Sequence, residues 1–345
     1  CSAYNIQFKD CKPVFIDTLS FEKYRKGQPW VAYRQFCQHF LAPLALMSYT
    51  DVRLNQLLKV YIDGIPLDLA SSLLPFRSYW KFSLLSNIHL HARSQKYFAD
   101  KGVNKNDYEY KMSLLNFLGL IDSLESAVQR LKWRPKRTEW IDYYENTNYS
   151  SDAMGHKKII ISDFLDKLSP KIVWDFGANI GLFSRFVSDK GIQIISFDID
   201  PASVDKNYLE CIREKKANIL PLLVDLTNPS PSIGWENEER MSFLERGPAD
   251  TVLALALIHH MAISNNLPFN KIASFFDKIC KSLIIEFVPK GDTQVERLLS
   301  RRDDIFTDYK QKVFEAEFSK YFIIENSVKI RSSERTIYLM KRRQI

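Results

Sequence analysis

Three carboxylates and two imidazoles stand where short apolar runs end. Asp175 follows Ile172-Val173-Trp174, Asp198 follows the run from Ile192 to Phe197, Asp225 follows Ile219 to Val224, and His259-His260 follow Thr251 to Ile258. Apolar runs of this length, bounded by turn residues, predict the buried strands of a parallel sheet. Open parallel sheets leave a crevice beyond the carboxyl ends of their strands, so these five side chains gather at one edge. Carboxylates there accept hydroxyl donors and pair with cations. An imidazole there serves as general base on an acceptor hydroxyl, since its ordinary pKa lies near working pH. Adjacent side chains on a strand point to opposite faces, so one of the two histidines faces substrate. His259 is nearer the strand; equally open is a pair of which one packs and the other is hydrogen-bonded in a loop.

The elements that must hold these groups are legible between Lys171 and Tyr208. The strand ending at Asp175 runs into Gly177-x-x-x-Gly181, a helical pattern follows from Leu182 to Val187, and the next strand closes in Asp198-Ile199-Asp200-Pro201. That is a β-α-β unit with a right-handed crossover. Gly177 and Gly181 allow close backbone approach, and Asn179, next to Ala178, is one of the few residues besides glycine that tolerates a left-handed turn. A dinucleotide fingerprint would need glycine at 175 and 180, where this chain has Asp175 and Ile180. A carboxylate at the turn repels a pyrophosphate. It suits S-adenosylmethionine, which has no phosphate and carries an ammonium and a sulfonium. Asp198, 17 residues past Gly181, is placed to accept both ribose hydroxyls.

The string Asp175-Phe-Gly-Ala-Asn-Ile-Gly181 followed by Phe197-Asp-Ile-Asp200 resembles the first and second cofactor motifs of class I S-adenosylmethionine-dependent methyltransferases. The resemblance implies an α/β fold with a Rossmann-like, seven-stranded sheet. It implies cofactor contacts from Asp175, Gly177, Ala178, Asn179 and Gly181, and from Asp198 and Ile199. It further implies that Asp225 meets the adenine amino group and that a backbone N–H at Leu226 reaches a ring nitrogen, although Asp225 before Thr227-Asn228-Pro229 also reads as a plain turn. The runs Ser282 to Val288, Tyr321 to Val328 and Glu334 to Met340 then supply the fifth strand and a terminal antiparallel pair. Arg297, Arg301 and Arg302, after the loop Pro289-Lys290-Gly291-Asp292, are candidates for an anionic substrate or for a solvated helix face.

Ahead of this domain, helical patterns run from Val31 to Tyr49, from Asp51 to Val60, from Pro66 to Pro75, from Ser83 to Tyr97, from Lys105 to Lys132 and from Ile141 to Asp166. The predicted organisation is a mostly helical region over 1–135 and a methyltransferase domain over 136–345. Residues 2–17 read as a β-hairpin about Lys9-Asp10. Within it, Asn5 and Asp17 resemble the metal-holding Asn and Asp of kinase-like small-molecule phosphotransferases, which implies a remnant of such a lobe. A Gly-rich loop and a nucleotide lysine are missing upstream, and the chain opens on Cys1 without an initiator methionine, which leaves a longer parent open. Trp140, Tyr143, Tyr144 and Tyr149 form an aromatic cluster that reads as helix core or as a flap over cofactor. Taken whole, with PVFIDTLSF, GIPLDLA and YYENTNYS ahead of the domain, the chain is similar to a bacterial family related to nodulation protein NoeA.

Composition narrows the setting. Hydrophobic residues make up 46% of the 345 and charged residues 26%, which suits a globular chain with a sizeable core. No apolar run approaches the roughly 18 residues that span a bilayer. Five scattered cysteines and no signal segment predict a reducing, cytoplasmic setting, and no cysteine pair has metal-ligand spacing, so no metal is expected. The net charge of +7 is spread out, which predicts a solvated surface and no DNA partner. The fourth strand lacks the Asp/Asn-Pro-Pro-aromatic string of base amino-methylating enzymes, and no cysteine follows a proline as cytosine methylation requires. The expected partner is a small-molecule or glycan acceptor, with oligomeric state open. A catalytically silent cofactor-binding regulator is the alternative.

Overall fold

The structure, a computed structural model, describes residues 1–99, 111–135, 149–300 and 302–343. The chain separates into two compact units, Cys1–Pro135 and Lys136–Ile345.

In the first unit β1 (Ile6–Lys9) pairs antiparallel with β2 (Lys12–Phe15). The two turn residues, Asp10 and Cys11, have φ of 52° and 56°, the left-handed pair a two-residue hairpin of this twist requires. Asn5 donates to the Asp17 carboxylate at 2.7 Å, and Asp17 also accepts from the backbone of Leu19 and Ser20 at 3.2 Å, capping the turn Thr18–Ser20. The helical patterns follow as short consecutive pieces. Tyr33–Phe36, Cys37–Leu41 and Ala42–Tyr49 are contiguous, Asp51 caps Val52–Gln56 through the Arg53 N–H at 2.9 Å, and Leu67–Leu73 starts after Pro66. Leu57–Val60, Phe76–Trp80, Phe82–Leu84 and Leu85–Leu90 are further short pieces, and His91–Ala99 and Leu114–Arg130 follow, the latter capped by Ser113, while the expected start at Lys105 lies outside the described residues. Leu41, Leu46, Ile65, Leu84, Ile88 and Leu124 form the core. Cys37 and His39 are buried in it, and burial pushes the Cys37 thiol up to about 12. Among the described residues no group of His, Cys, Asp and Glu could hold a metal ion, and no helix is long and apolar enough to cross a membrane.

The second unit is an α/β domain on a seven-stranded sheet. Its strands are β3 (Ile172–Phe176), β4 (Gln193–Asp198), β5 (Ile219–Leu223), β6 (Ala249–Ala254), β7 (Cys280–Phe287), β8 (Phe322–Lys329) and β9 (Thr336–Arg342). They lie in the order β5-β4-β3-β6-β7-β9-β8, the first five parallel and the last two joined antiparallel. This is the Rossmann-like class I methyltransferase fold. The order reverses between β3 and β6, which is where such sheets open a crevice. Trp174 and Phe176, two apart on β3, share one face and meet Phe197 and Phe243 at ring centroid distances of 5.3 to 6.1 Å. Asp175, on the opposite face, turns to the helix Leu182–Ser188, whose Ser184 hydroxyl donates to it at 2.6 Å.

Three boundaries differ from the expectation. Asp175 lies within β3 and not beyond it. The helix expected from Ile141 begins at Ser151, because the Ser150 hydroxyl accepts from the Ala153 N–H at 3.1 Å and caps it there. Trp140, Tyr143 and Tyr144 lie outside the described residues. The fourth strand stops at Ala254, four residues early, because Ala256 takes a left-handed φ of 50° and breaks the extended backbone.

Candidate functional site

A cavity of about 350 Å³ crosses the tips of β5, β4, β3 and β6. Its floor is the glycine turn, in which Gly177, Asn179 and Gly181 all have left-handed φ, of 70°, 51° and 77°. A Cβ at Gly181 would stand 2.1 Å from the Asn207 amide oxygen, so both backbone conformation and close approach demand glycine there. The turn consumes its own donors. Gly177 and Ala178 N–H groups bond to the Phe197 carbonyl at 2.9 and 3.0 Å, Asn179 N–H to the Asp198 carboxylate at 2.7 Å, and Gly181 N–H to the Ala178 carbonyl at 2.9 Å. A pyrophosphate, which such turns bind through free N–H groups, would find these four occupied.

Of the two acids flanking the turn, Asp175 is buried and Asp198 half-buried. Asp198 accepts from the Asn179 N–H at 2.7 Å and, on its other oxygen, from the Asp200 N–H at 2.9 Å. Burial raises its pKa to about 6 despite these hydrogen bonds. Asp175, only 2% exposed, is also raised to about 6, first by burial; the Ser184 hydrogen bond and Lys157 oppose the shift and Asp198 adds to it. A group whose folded pKa exceeds its unfolded value binds its proton more tightly in the native state. For an acid this contributes stability that is present below about pH 4 and lost as pH rises toward 6. Asp175→Asn should therefore flatten the fall in melting temperature of the ligand-free protein between pH 4 and 6. A melting profile parallel to that of the parent would contradict this.

Ile199, Asp225 and Leu226 line the cavity beside Asp198. One Asp225 oxygen accepts from the Thr227 N–H at 2.8 Å and its hydroxyl at 2.6 Å, so Asp225 closes a turn at the cavity wall. The histidines do not sit on a strand. Past Ala254 the chain passes through Leu255, Ala256 and Leu257 into a helical segment, His260–Ser264, with His259 as its N-cap, so strand alternation does not sort them. His260 lines the cavity; His259 is not among the described residues that do. His259 is 2% exposed, and its Nδ1 has no hydrogen-bond partner among the described residues. Burial, with the Arg335 charge, lowers the His260 pKa to about 4 and that of His259 well below the ordinary value, so both rings are neutral at neutral pH. Arg302 donates to the Ile263 carbonyl at 2.6 Å and the Asn266 side chain at 2.8 Å, which pins this segment; Arg297 is exposed and Arg301 lies outside the described residues.

Sequence reasoning missed a buried charge cluster at the cavity's edge. Glu286, fully buried on β7, accepts from Lys157 at 2.6 Å, from the Tyr149 hydroxyl, and from Ala256 N–H at 2.8 Å. Arg335 donates to the Tyr149 hydroxyl at 2.6 Å and grips Asp292 through two bonds of 2.7 and 2.9 Å. Burial alone would raise the Glu286 pKa, but the Lys157 and Arg335 charges hold it below the ordinary value. The one available signal was an acid straight after the apolar run Leu283-Ile284-Ile285, which demands a partner without naming it.

Nodulation protein NoeA of Rhizobium meliloti (strain 1021) is 35% identical over 345 residues, which is 99% of this chain and 72% of that protein. The chain belongs to the NoeA family. No family model matches it. Among solved structures, magnesium protoporphyrin IX methyltransferase (ChlM) from Synechocystis PCC 6803 overlays on 59% of this chain and 92% of its own, with 16% identity and a TM-score of 0.42. The bifunctional kinase-methyltransferase WbdD overlays on 59% of this chain with 14% identity and a TM-score of 0.41. That overlay spans 42% of WbdD, less than half its length.

Proposed function

We propose that this NoeA-family protein is an S-adenosylmethionine-dependent methyltransferase acting on an oxygen or nitrogen of a small molecule or glycan precursor. The observation that carries the reading is the glycine turn whose N–H groups are internally bonded and whose flanking groups are carboxylates. Such a turn suits a nucleoside ligand with hydroxyls and positive charge and no phosphate. Neighbouring strands lie about 4.8 Å apart, so Asp225, Asp198, Asp175 and His260 mark successive stations along the cavity. In this reading Asp225 and Leu226 meet the adenine, Asp198 and Ile199 the ribose, and Asp175 with Gly177 to Gly181 the amino-acid end. Residues 136–345 then carry the reaction and 1–135 form a separate unit.

When bound, the cofactor supplies an electrophilic methyl carbon on a sulfonium. The chain's own part is to place the acceptor in line with that carbon and to exclude water. Leu255, Leu257 and Met261 form an apolar wall at the β6 end, and the neutral His260 ring accepts a hydrogen bond from the acceptor and takes its proton as the new bond forms. His259, off the cavity wall, packs beneath it.

Two measurements test the proposal. S-adenosylhomocysteine should bind in calorimetry at micromolar concentrations, and methyl label from radioactive cofactor should enter a fraction of a bacterial lysate. Label transfer discards the silent-regulator alternative. His260→Ala should lower that transfer by about 10²-fold, the lower end for loss of a general base because its pKa is far below working pH. Its affinity for S-adenosylhomocysteine should be unchanged. A comparable loss in His259→Ala with intact folding, and none in His260→Ala, would reverse the assignment.

A further inference from the structure

The helical unit carries the net charge of the whole chain. Residues 1–135 hold 18 lysines and arginines against 11 acids, which is the entire excess of +7, whereas residues 136–345 balance at 30 and 30. Between Asp68 and Asp100 the sequence has no acid at all, yet it has Arg77, Lys81, Arg93 and Lys96. Inside that stretch Phe76, Trp80 and Phe82 are 73%, 78% and 79% exposed. Three large rings left in water within one short stretch, interleaved with two bases, differ from the single apolar residues scattered over ordinary surfaces.

The rings stand on a fixed base. The turn Phe76–Trp80 presses its other side inward: Ser78 is buried, its hydroxyl meets His89 Nε2 at 2.8 Å, and the Tyr79 ring stacks on His89 with centroids 3.7 Å apart. The Ser71 hydroxyl meets the other His89 nitrogen at 2.7 Å, and Arg77 donates to the Tyr49 carbonyl at 2.8 Å. Phe76 and Trp80 are left outward with centroids 6.2 Å apart, and Phe82 opens the next helix, Phe82–Leu84. Lys81, between Trp80 and Phe82, is exposed and has no hydrogen-bond or ion-pair partner among the described residues. Arg93 is exposed as well, and after burial its charge is what lowers the His89 pKa, so a third base lies near the turn.

We propose that this face docks on an anionic lipid surface, Phe76, Trp80 and Phe82 entering the boundary between headgroups and acyl chains while Arg77, Lys81 and Arg93 pair with lipid phosphates. Aromatic rings beside bases suit that boundary, which is apolar on one side and wet and negative on the other. A second copy of the chain would bring the same positive face against itself, which disfavours a symmetric dimer through it. Single-stranded nucleic acid needs a row of parallel ring faces. Here the Phe76 and Trp80 rings stand at 85°, and Phe76 is already stacked on Tyr79 at 5.8 Å. None of these residues lines the cavity of the sheet unit, so the docking face stands or falls apart from the cofactor reading.

Flotation of the full chain with phosphatidylcholine vesicles, with and without phosphatidylglycerol, tests it. The chain should float with the mixed vesicles, stay behind with the neutral ones, and be released from the mixed ones at high salt. Trp80→Ser should weaken binding to mixed vesicles by about 10-fold, the effect of withdrawing one large ring from an apolar boundary. Lys81→Glu should do so by a similar factor, about 10-fold, through reversal of one charge at the surface. Both positions are exposed, so both variants should keep the melting temperature of the parent. Absence of flotation with mixed vesicles overturns the proposal, as does equal binding by the parent and Trp80→Ser. Equal flotation with both kinds of vesicle overturns the anionic recognition and the proposal with it. A parent dimer that Trp80→Ser dissociates, or release from mixed vesicles by oligothymidylate at constant salt, would assign the face to a second copy or to nucleic acid and overturn it likewise.

Discussion

Glu286→Ala is expected to destabilise the sheet unit by about 3–5 kcal/mol, the cost of breaking a buried ion pair from one side. Glu286 and Lys157 are 0% and 2% exposed, so the ammonium left behind is buried with, among the described residues, only the Tyr149 hydroxyl and the Tyr149 and Phe183 ring faces beside it. The Ala256 N–H and the Tyr149 hydroxyl lose their acceptor at the same stroke. Ala256 sits in a left-handed conformation that side chains resist, and the Glu286 bond is what the described structure offers to hold it. The loop between β6 and His260 should therefore loosen together with the fold. Urea unfolding followed through the signal of buried Trp174 measures the effect. A loss under about 1 kcal/mol would show that water or another group reaches Lys157. The double variant Glu286→Leu with Lys157→Met should recover much of the stability, because replacing both members of a buried pair by apolar groups is often neutral.

The second large effect concerns binding. Asp198→Ala should weaken S-adenosylhomocysteine affinity by about 10²- to 10³-fold, as expected when a carboxylate that accepts two hydroxyls is removed, each bond contributing about 1.5–3 kcal/mol before partial compensation by water. The same substitution frees the Asn179 and Asp200 N–H groups that Asp198 holds, which relaxes the turn beneath the ligand. The pH dependence has a definite sign. With its pKa raised to about 6 in the ligand-free protein, Asp198 is mostly protonated at pH 5 and mostly charged at pH 7. The charged form is the better acceptor, so parent affinity should climb over that interval and level off above it. In Asp198→Ala the climb should be shallower, with Asp175 supplying what remains. Unchanged affinity in Asp198→Ala would remove the ribose assignment and with it the polarity of the cavity.

What the amino-acid sequence determined by itself was the local backbone. A hairpin expected about Lys9-Asp10 and found turning one residue later at Asp10-Cys11, the left-handed Asn179, the strand–turn–helix from Ile172 to Ser188 and the seven strands all follow from side-chain period, turn residues and caps, which act over a few residues and so are written in adjacent letters. The glycine turn could also be matched to a cofactor type, because Asp175 leads into it and Gly181 closes it. Only the tertiary structure decided what those strands bring together. Lys157 and Glu286 are 129 positions apart and Tyr149 and Arg335 are 186 apart, and no periodicity couples letters at that range. The fate of His259 and His260 was decided the same way. The Glu286 carboxylate, supplied from the neighbouring strand, holds the Ala256 N–H where the chain leaves the sheet, and burial then strips both imidazoles of their charge. An ionisable group's pKa depends on how much water the folded chain removes from it, and that quantity does not exist until distant segments have packed.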